Sequence, residues 1–136
     1  MNEKIGIVVS DTYSELTNIM LAKAEQKIQL MGAKVEKVIH VPGCYDTPIV
    51  IQHLAQKNEI DGVVVLGIVL KGETDHDQIV AHNAARGAME VSLKYNKPIT
   101  NGISGPKMTR KQAIMRMHKF GADAAEACVK LIRIMQ

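Results

Sequence analysis

The sequence predicts an α/β fold, on three observations. Between positions 4 and 104, short β-branched apolar runs alternate with longer stretches of helical period, which is the pattern of parallel βαβ units. Gly62 to Leu70 is uncharged throughout, as a central strand covered on both faces requires. No repeat, linker or low-complexity tract interrupts the 136 residues, so residues 1–136 are expected to form one domain. The expected architecture has three layers: a four-stranded parallel sheet, of strand order 2-1-3-4, between two sets of helices.

Ile5-Gly6-Ile7-Val8-Val9 is the first strand, and polar Ser10 to Ser14 follows it. A helix then carries Leu16, Ile19, Met20, Ala24, Ile28 and Met31 on one face, with Gly32 placed to stop it. Lys34 to Val41 mixes polar and β-branched residues, as a strand nearer the sheet edge does, and Pro42-Gly43 marks its end. Thr47 is expected to cap a helix whose first position is Pro48 and whose buried stripe is Val50, Ile51, Leu54 and Ala55. After the Gly62–Leu70 strand, Lys71 to Asp75 turns the chain into a long helix from about His76 to Lys94. Pro98 to Ser104 is the fourth strand. Beyond Gly105-Pro106 the spacing predicts a helix through Arg116 and a last one over Ala122–Ile134, with Gly121 as the break between them.

Composition removes several classes of function. Seventeen Lys and Arg against 14 Asp and Glu leave a net charge of +3, too weak and too evenly spread for a dedicated nucleic-acid binder. Three Tyr, one Phe and no Trp supply little for base stacking. No apolar run reaches the roughly 18 residues of a membrane span, and Met1-Asn2-Glu3-Lys4 opens no signal-peptide pattern, so a cytoplasmic location without a membrane partner is expected. Cys44 and Cys128 stand in no CxxC spacing and read as free thiols. His76 and His82 fall off a common helical face, and His40, His53 and His118 have no ligand-spaced partners, so no metal site is expected.

In such sheets, ligands bind beyond the carboxyl ends of the strands. Here those ends are Ser10 to Ser14, Gly43 to Thr47, Lys71 to His76 and Asn101 to Gly105, all carrying Gly or small polar residues. The sharpest local signal is Lys71-Gly72-Glu73-Thr74-Asp75-His76, a turn from a buried strand into a helix N-terminus. Unpaired N–H groups and the helix dipole there favour an anion such as phosphate, with Thr74 adding a hydroxyl and Lys71 a charge. The turn matches neither GxxxxGK[ST] nor GxGxxG, which leaves nucleotide binding little support. His76, between the dipole and a bound anion, is suited to proton transfer. A purely structural account of the same residues is a turn made by Gly72, a helix capped by Asp75 with Gln78, and a solvated His76.

Two further groups can be read both ways. Tyr45 and Asp46 follow a strand end whose free backbone groups could bind a flat heterocycle edge-on, Asp46 accepting from a polyol; alternatively, Asp46 is an N-terminal helix acid. Arg116 suits bidentate phosphate recognition, or is a solvated surface charge like Arg110, Lys111 and Lys119.

Three segments together resemble one family. Val41-Pro42-Gly43-Cys44-Tyr45-Asp46-Thr47-Pro48, Leu66-Gly67-Ile68-Val69-Leu70-Lys71-Gly72-Glu73-Thr74-Asp75-His76 and Lys97-Pro98-Ile99-Thr100-Asn101-Gly102-Ile103-Ser104 fall in the order and spacing of the 6,7-dimethyl-8-ribityllumazine synthases. The chain is most similar to the archaeal branch, through His82-Asn83-Ala84-Ala85-Arg86 and Gly102 to Arg110. The similarity covers nearly the whole chain.

The resemblance implies a flavodoxin-like sheet order and a transferase of riboflavin biosynthesis. That reaction condenses 5-amino-6-(D-ribitylamino)uracil with 3,4-dihydroxy-2-butanone 4-phosphate and releases phosphate and water. It implies no metal and no organic cofactor. It also implies a homo-oligomer, a pentamer or a multiple of pentamers, whose active sites are shared between neighbouring subunits. Carried over motif by motif, Cys44, Tyr45 and Asp46 are expected to hold the ribityl chain and pyrimidine, with Asp46 in place of the more usual Glu. Val69 and Leu70 are expected to line the pyrimidine pocket, and Asn101 to contact substrate across the interface. Gly72, Glu73 and Thr74 match the phosphate turn, His76 the proton-transfer residue, and Arg116 the phosphate-binding Arg from the adjacent subunit.

The chain departs from the family where an aromatic-Asn pair commonly follows the first strand. Thr12-Tyr13 stands there, so Tyr13 is the candidate to stack on the heterocycle. The Lys that usually follows the phosphate Arg is matched by Lys119, although the spacing also admits Phe120. Three other readings share the scaffold: an archaeal-type riboflavin synthase, a non-catalytic lumazine- or flavin-binding shell protein, and a flavodoxin-like signalling domain. The intact Gly72–His76 turn argues against the first, which holds no butanone phosphate.

Overall fold

The computed structural model describes residues 2–136. In chain order the elements are β1 (Lys4–Ser10), α1 (Ser14–Leu30), β2 (Lys34–Val41), a 3-10 turn (Cys44–Asp46), α2 (Thr47–Ala55), β3 (Gly62–Leu70), α3 (His76–Tyr95), β4 (Ile99–Met108), α4 (Arg110–Arg116) and α5 (Phe120–Ile134). The four strands form one parallel sheet in the order β2-β1-β3-β4, as the sequence predicts. Ile7 of β1 pairs with Val38 of β2 on one side and Val64 of β3 on the other.

The two inner strands explain their own composition. From Ile5 to Ser10 and from Gly62 to Val69 every residue is buried, because helices cover both faces. On one face Ile5, Ile7, Val9, Val64 and Leu66 pack with Met20, Ala24 and Ile28 of α1 and with Ala125, Cys128 and Val129 of α5. On the other face Val8, Val63 and Val65 pack with Ile51 and Leu54 of α2 and with Ala81, Ala84 and Ala88 of α3. Edge strand β2 has only Val41 fully buried, in keeping with its mixed sequence.

Three boundaries differ from the sequence expectation, each for a local reason. The 3-10 turn runs straight into α2, so Asp46 takes the cap position, and Thr47 is already helical with its hydroxyl donating to the Cys44 carbonyl at 2.8 Å. Helix α5 begins at Phe120, because the Asp123 N–H already bonds the Lys119 carbonyl at 2.9 Å; Gly121 lies in its first turn instead of at a break. β4 continues past Gly105-Pro106, whose peptide bond is cis, to Met108. It does so through an excursion: Ser104 pairs with Ile68 and Met108 with Leu70, so Gly105, Pro106 and Lys107 together oppose Val69.

At the opposite end of the sheet, buried Glu3 accepts from Arg133 Nε at 2.9 Å and Nη2 at 3.2 Å, and Arg133 also donates to the Met31 carbonyl. The start of β1 is thereby joined to the ends of α1 and α5. No helix among the described residues is long and apolar enough to cross a membrane.

Candidate functional site

A cleft of about 290 Å³ opens beyond the carboxyl ends of β1, β2 and β3. Its walls come from chain segments far apart in sequence. One is the loop after β1, with Thr12 and Tyr13; another is the loop and 3-10 turn after β2, with Gly43, Cys44 and Tyr45. The floor is Ile68, Val69 and Leu70 of β3, and the far side is Gly72 followed by His76, Asp77 and Val80 of α3.

The first two walls are bonded to each other. The Asp11 N–H donates to the Val41 carbonyl at 2.8 Å, the Thr12 hydroxyl donates to the Pro42 carbonyl at 2.9 Å, and His40 Nδ1 lies 2.8 Å from Asp11 Oδ1. Tyr13 adopts the left-handed conformation, with φ 60° and ψ 49°, and its carbonyl receives the first N–H groups of α1 from Leu16 and Thr17. The conformation that starts the helix therefore also sets where the Tyr13 ring is presented.

Cys44 is 4% exposed, and its thiol lies 3.9 Å from the Ile68 carbonyl. Burial pushes the thiol pKa up, so at neutral pH it is a neutral, weakly polar wall and not a thiolate nucleophile. Cys128, in the α5 core, is pushed up to about 12 for the same reason.

The turn before α3 is exposed from Lys71 through His76. Asp75 holds the cap position without a side-chain bond to the helix, and Thr74 Oγ1 instead accepts from the His76 N–H at 3.3 Å. The cap by Asp75 and Gln78 is therefore not formed. Over this short stretch the sequence places one cation, Lys71, with three acids, Glu73, Asp75 and Asp77. Asp77 alone of them is buried, 6% exposed, and its Oδ2 accepts from the Lys107 N–H at 2.9 Å.

Of the residues singled out from sequence, Thr12, Tyr13, Cys44, Tyr45, Val69, Leu70, Gly72 and His76 meet in the cleft. Glu73 and Thr74 belong to the adjoining turn but do not line it. Asp46 is turned back on its own loop, with Oδ2 accepting from the Gly43 N–H at 3.0 Å. Asn101 is exposed in a separate depression with His82, Ala85, Ile103 and Pro106, its Oδ1 accepting from the Ile103 N–H. Arg116 and Lys119 are exposed on and after α4, away from the cleft lining. Sequence reasoning had Gly43 only as part of a strand end, and missed Ile68, Asp77 and Val80. Val80 could have been found from its i,i+4 relation to His76, whereas an acid in a first helical turn reads as a dipole partner and hides Asp77.

Among the described residues, no three His, Cys, Asp or Glu side chains gather in a way that could hold a metal ion. The cleft instead combines an apolar slot with a backbone-rich turn suited to an anion.

Comparison with known proteins gives this geometry a family. Residues 2–136 match the family model described as 6,7-dimethyl-8-ribityllumazine synthase. The chain is 44% identical to the 6,7-dimethyl-8-ribityllumazine synthase of Sulfolobus acidocaldarius, over 95% of this chain and 82% of that protein. It is 42% identical to the protein of the same name from Picrophilus torridus, over 98% and 97% of the two chains, and 43% identical to that of Methanocaldococcus jannaschii, over 95% and 91%. With the family model matched across all the described residues, the chain belongs to the 6,7-dimethyl-8-ribityllumazine synthase family.

Proposed function

We infer that the chain catalyses the lumazine synthase reaction of riboflavin biosynthesis, joining 5-amino-6-(D-ribitylamino)uracil to 3,4-dihydroxy-2-butanone 4-phosphate. The observation that carries this reading is the apolar slot of Tyr13, Cys44, Val69 and Leu70 opening directly onto the Gly72–His76 turn. A flat pyrimidine fits the first part and a phosphate monoester the second.

The chemistry divides among the residues accordingly. The 5-amino group of the uracil adds to the ketone, and loss of water gives an imine. Removal of a proton lets phosphate leave, and the ribityl-bearing nitrogen then closes the ring with loss of a second water. These steps need proton transfer and orientation rather than a redox group. His76 moves the protons: it lies at the junction of the two parts of the cleft, where the neighbouring Asp77 carboxylate is already engaged by the Lys107 N–H. Gly72, Glu73 and Thr74 receive the phosphate through backbone N–H groups and the Thr74 hydroxyl. Tyr13 stacks on the pyrimidine, Thr12, Cys44 and Tyr45 flank it, and the oxygen of Asp46 not held by Gly43 accepts from the ribityl chain.

Arg116 and Asn101 act on the site of a neighbouring copy in a pentamer-based homo-oligomer. Two features support this. The cleft volume sits at the lower limit of the roughly 300–1,000 Å³ of small-molecule pockets, as expected of a site with one wall missing. Residues 71–77 also carry three acids, Glu73, Asp75 and Asp77, to one Lys, Lys71, whereas residues 107–119 carry Lys107, Arg110, Lys111, Arg116 and Lys119 without one acid. A phosphate beside the turn needs cations that segment can bring from another subunit. Residues 1–136 act as one domain of a cytoplasmic enzyme.

The test is to mix the protein with both substrates and follow lumazine fluorescence together with released phosphate. Both should form faster than the spontaneous background. Binding of the uracil without product would instead indicate a lumazine- or flavin-binding protein without turnover.

A further inference from the structure

We propose that Asp77 is a positioning residue for this reaction, pinning the β4 excursion against the first turn of α3 so that Gly72 and His76 are held at the cleft. The inference rests on the reaction assigned above. It begins with the register of the sheet. Gly105, Pro106 and Lys107 oppose Val69 alone, so two residues more than the ladder can pair are extruded beside the cleft floor. Gly105 has φ 130°, and a Cβ there would come within 3.0 Å of the Val69 Cβ and still closer to its carbonyl, so the excursion is pressed onto a cleft residue. Lys107 has φ 59°, and its N–H finds its acceptor in Asp77 instead of the sheet.

The same segment touches the turn at both ends. The Lys71 N–H, where the turn begins, donates to the Met108 carbonyl at 2.7 Å, and Asp77, just beyond where it ends, accepts from the Lys107 N–H at 2.9 Å. Two successive residues of β4 thus bracket Gly72 to His76. Met108 is itself fixed, 2% exposed, with the Ser104 hydroxyl 2.9 Å from its sulfur. The turn is otherwise exposed, so these brackets are what give it one position. A buried carboxylate without such a bond would be costly, which makes the Asp77 contact a specified one. Thr109, the next residue after Met108, caps α4 through Gln112, so the pin also leads directly to the helix that carries Arg116.

Three variants test the role. Asp77→Ala removes the acceptor, and loss of a hydrogen bond to a charged group should raise the KM for the butanone phosphate roughly tenfold or more, with the uracil KM changed less than about twofold. Asp77→Asn keeps an acceptor and should restore most of that loss. Asp77→Glu keeps the charge but moves it by a methylene, and should resemble Asp77→Ala; it carries the test if the alanine chain does not fold. Equal effects on both substrates, or a Glu variant that behaves as wild type, would overturn the proposal. Amide hydrogen exchange at Lys107 supplies a readout that needs no turnover. The amide should be protected in the wild type and in Asp77→Asn, and freed in Asp77→Ala or Asp77→Glu. Free exchange in the wild type would refute the pin even in an active enzyme, while protection in a protein without turnover would leave the pin standing and refute the reaction assignment.

Discussion

Gly67 of β3 and Cys44 of the 3-10 turn pack so closely that a Cβ on Gly67 would collide with the Cys44 sulfur. The contact joins the floor strand to the wall segment that flanks the cleft, so a change in one is felt by the other.

Gly67→Ala should therefore cost about 1–3 kcal/mol as an overpacking substitution, and should also displace Cys44 and Tyr45. Urea unfolding would show a lower midpoint, and titration with the uracil substrate a weaker affinity. Wild-type values for both would mean that the thiol rotates aside without moving the wall.

His76→Ala should lower kcat by about 10²–10⁴-fold, the range of a lost general acid–base group, with little change in uracil affinity. Rate and binding measured on the same preparation check this. Undiminished turnover would remove His76 from the proton transfers.

Arg116→Ala should chiefly raise the KM for the butanone phosphate, through loss of a charge-assisted contact. Because Arg116 stands away from the cleft lining of its own chain, co-refolding His76→Ala with Arg116→Ala chains should regenerate intact sites, about a quarter of the total on random mixing. Mixtures no more active than the separate variants would place Arg116 in its own chain's site or in none.

Glu3→Gln tests the junction at the far end of the sheet. Arg133 hydrogen-bonds the buried carboxylate and holds its pKa below the ordinary 4.5, so the ionised form is favoured by folding. The stabilisation is complete above that value and is lost as pH falls through the lower folded-state pKa. Wild type should exceed the variant by about 1–3 kcal/mol in urea unfolding near neutral pH, and the gap should narrow progressively as the pH is taken below 4.5. A gap independent of pH would show that packing, not the ion pair, is what the substitution removes.

Most of this architecture was legible as pattern. Periodicity separated strands from helices, and the uncharged run from Gly62 to Leu70 marked the strand buried on both faces. Three of the four strand ends rich in Gly and small polar residues border the cleft, whereas the Asn101–Gly105 end lies in a separate depression. What escaped was whatever depends on a partner distant in sequence. Gly105-Pro106 reads locally as a stop, yet β4 resumes because Met108 finds Leu70 across an excursion. Asp77 reads as a helix-terminal acid until Lys107, thirty positions away, supplies its donor. Asp46 is a local case: it reads either as a ligand acceptor or as a helix-terminal acid, and one of its oxygens closes the turn on the Gly43 N–H three residues back.

Tyr13 has one more consequence. An L-residue with a bulky side chain pays roughly 1–2 kcal/mol to sit in the left-handed region, where Gly and Asn sit with less strain. With the stacking role proposed for Tyr13, selection for heat resistance and selection for substrate capture would pull position 13 in opposite directions. Directed evolution by melting temperature alone should drift toward Asn or Gly there, and would discard the ring that faces the cleft.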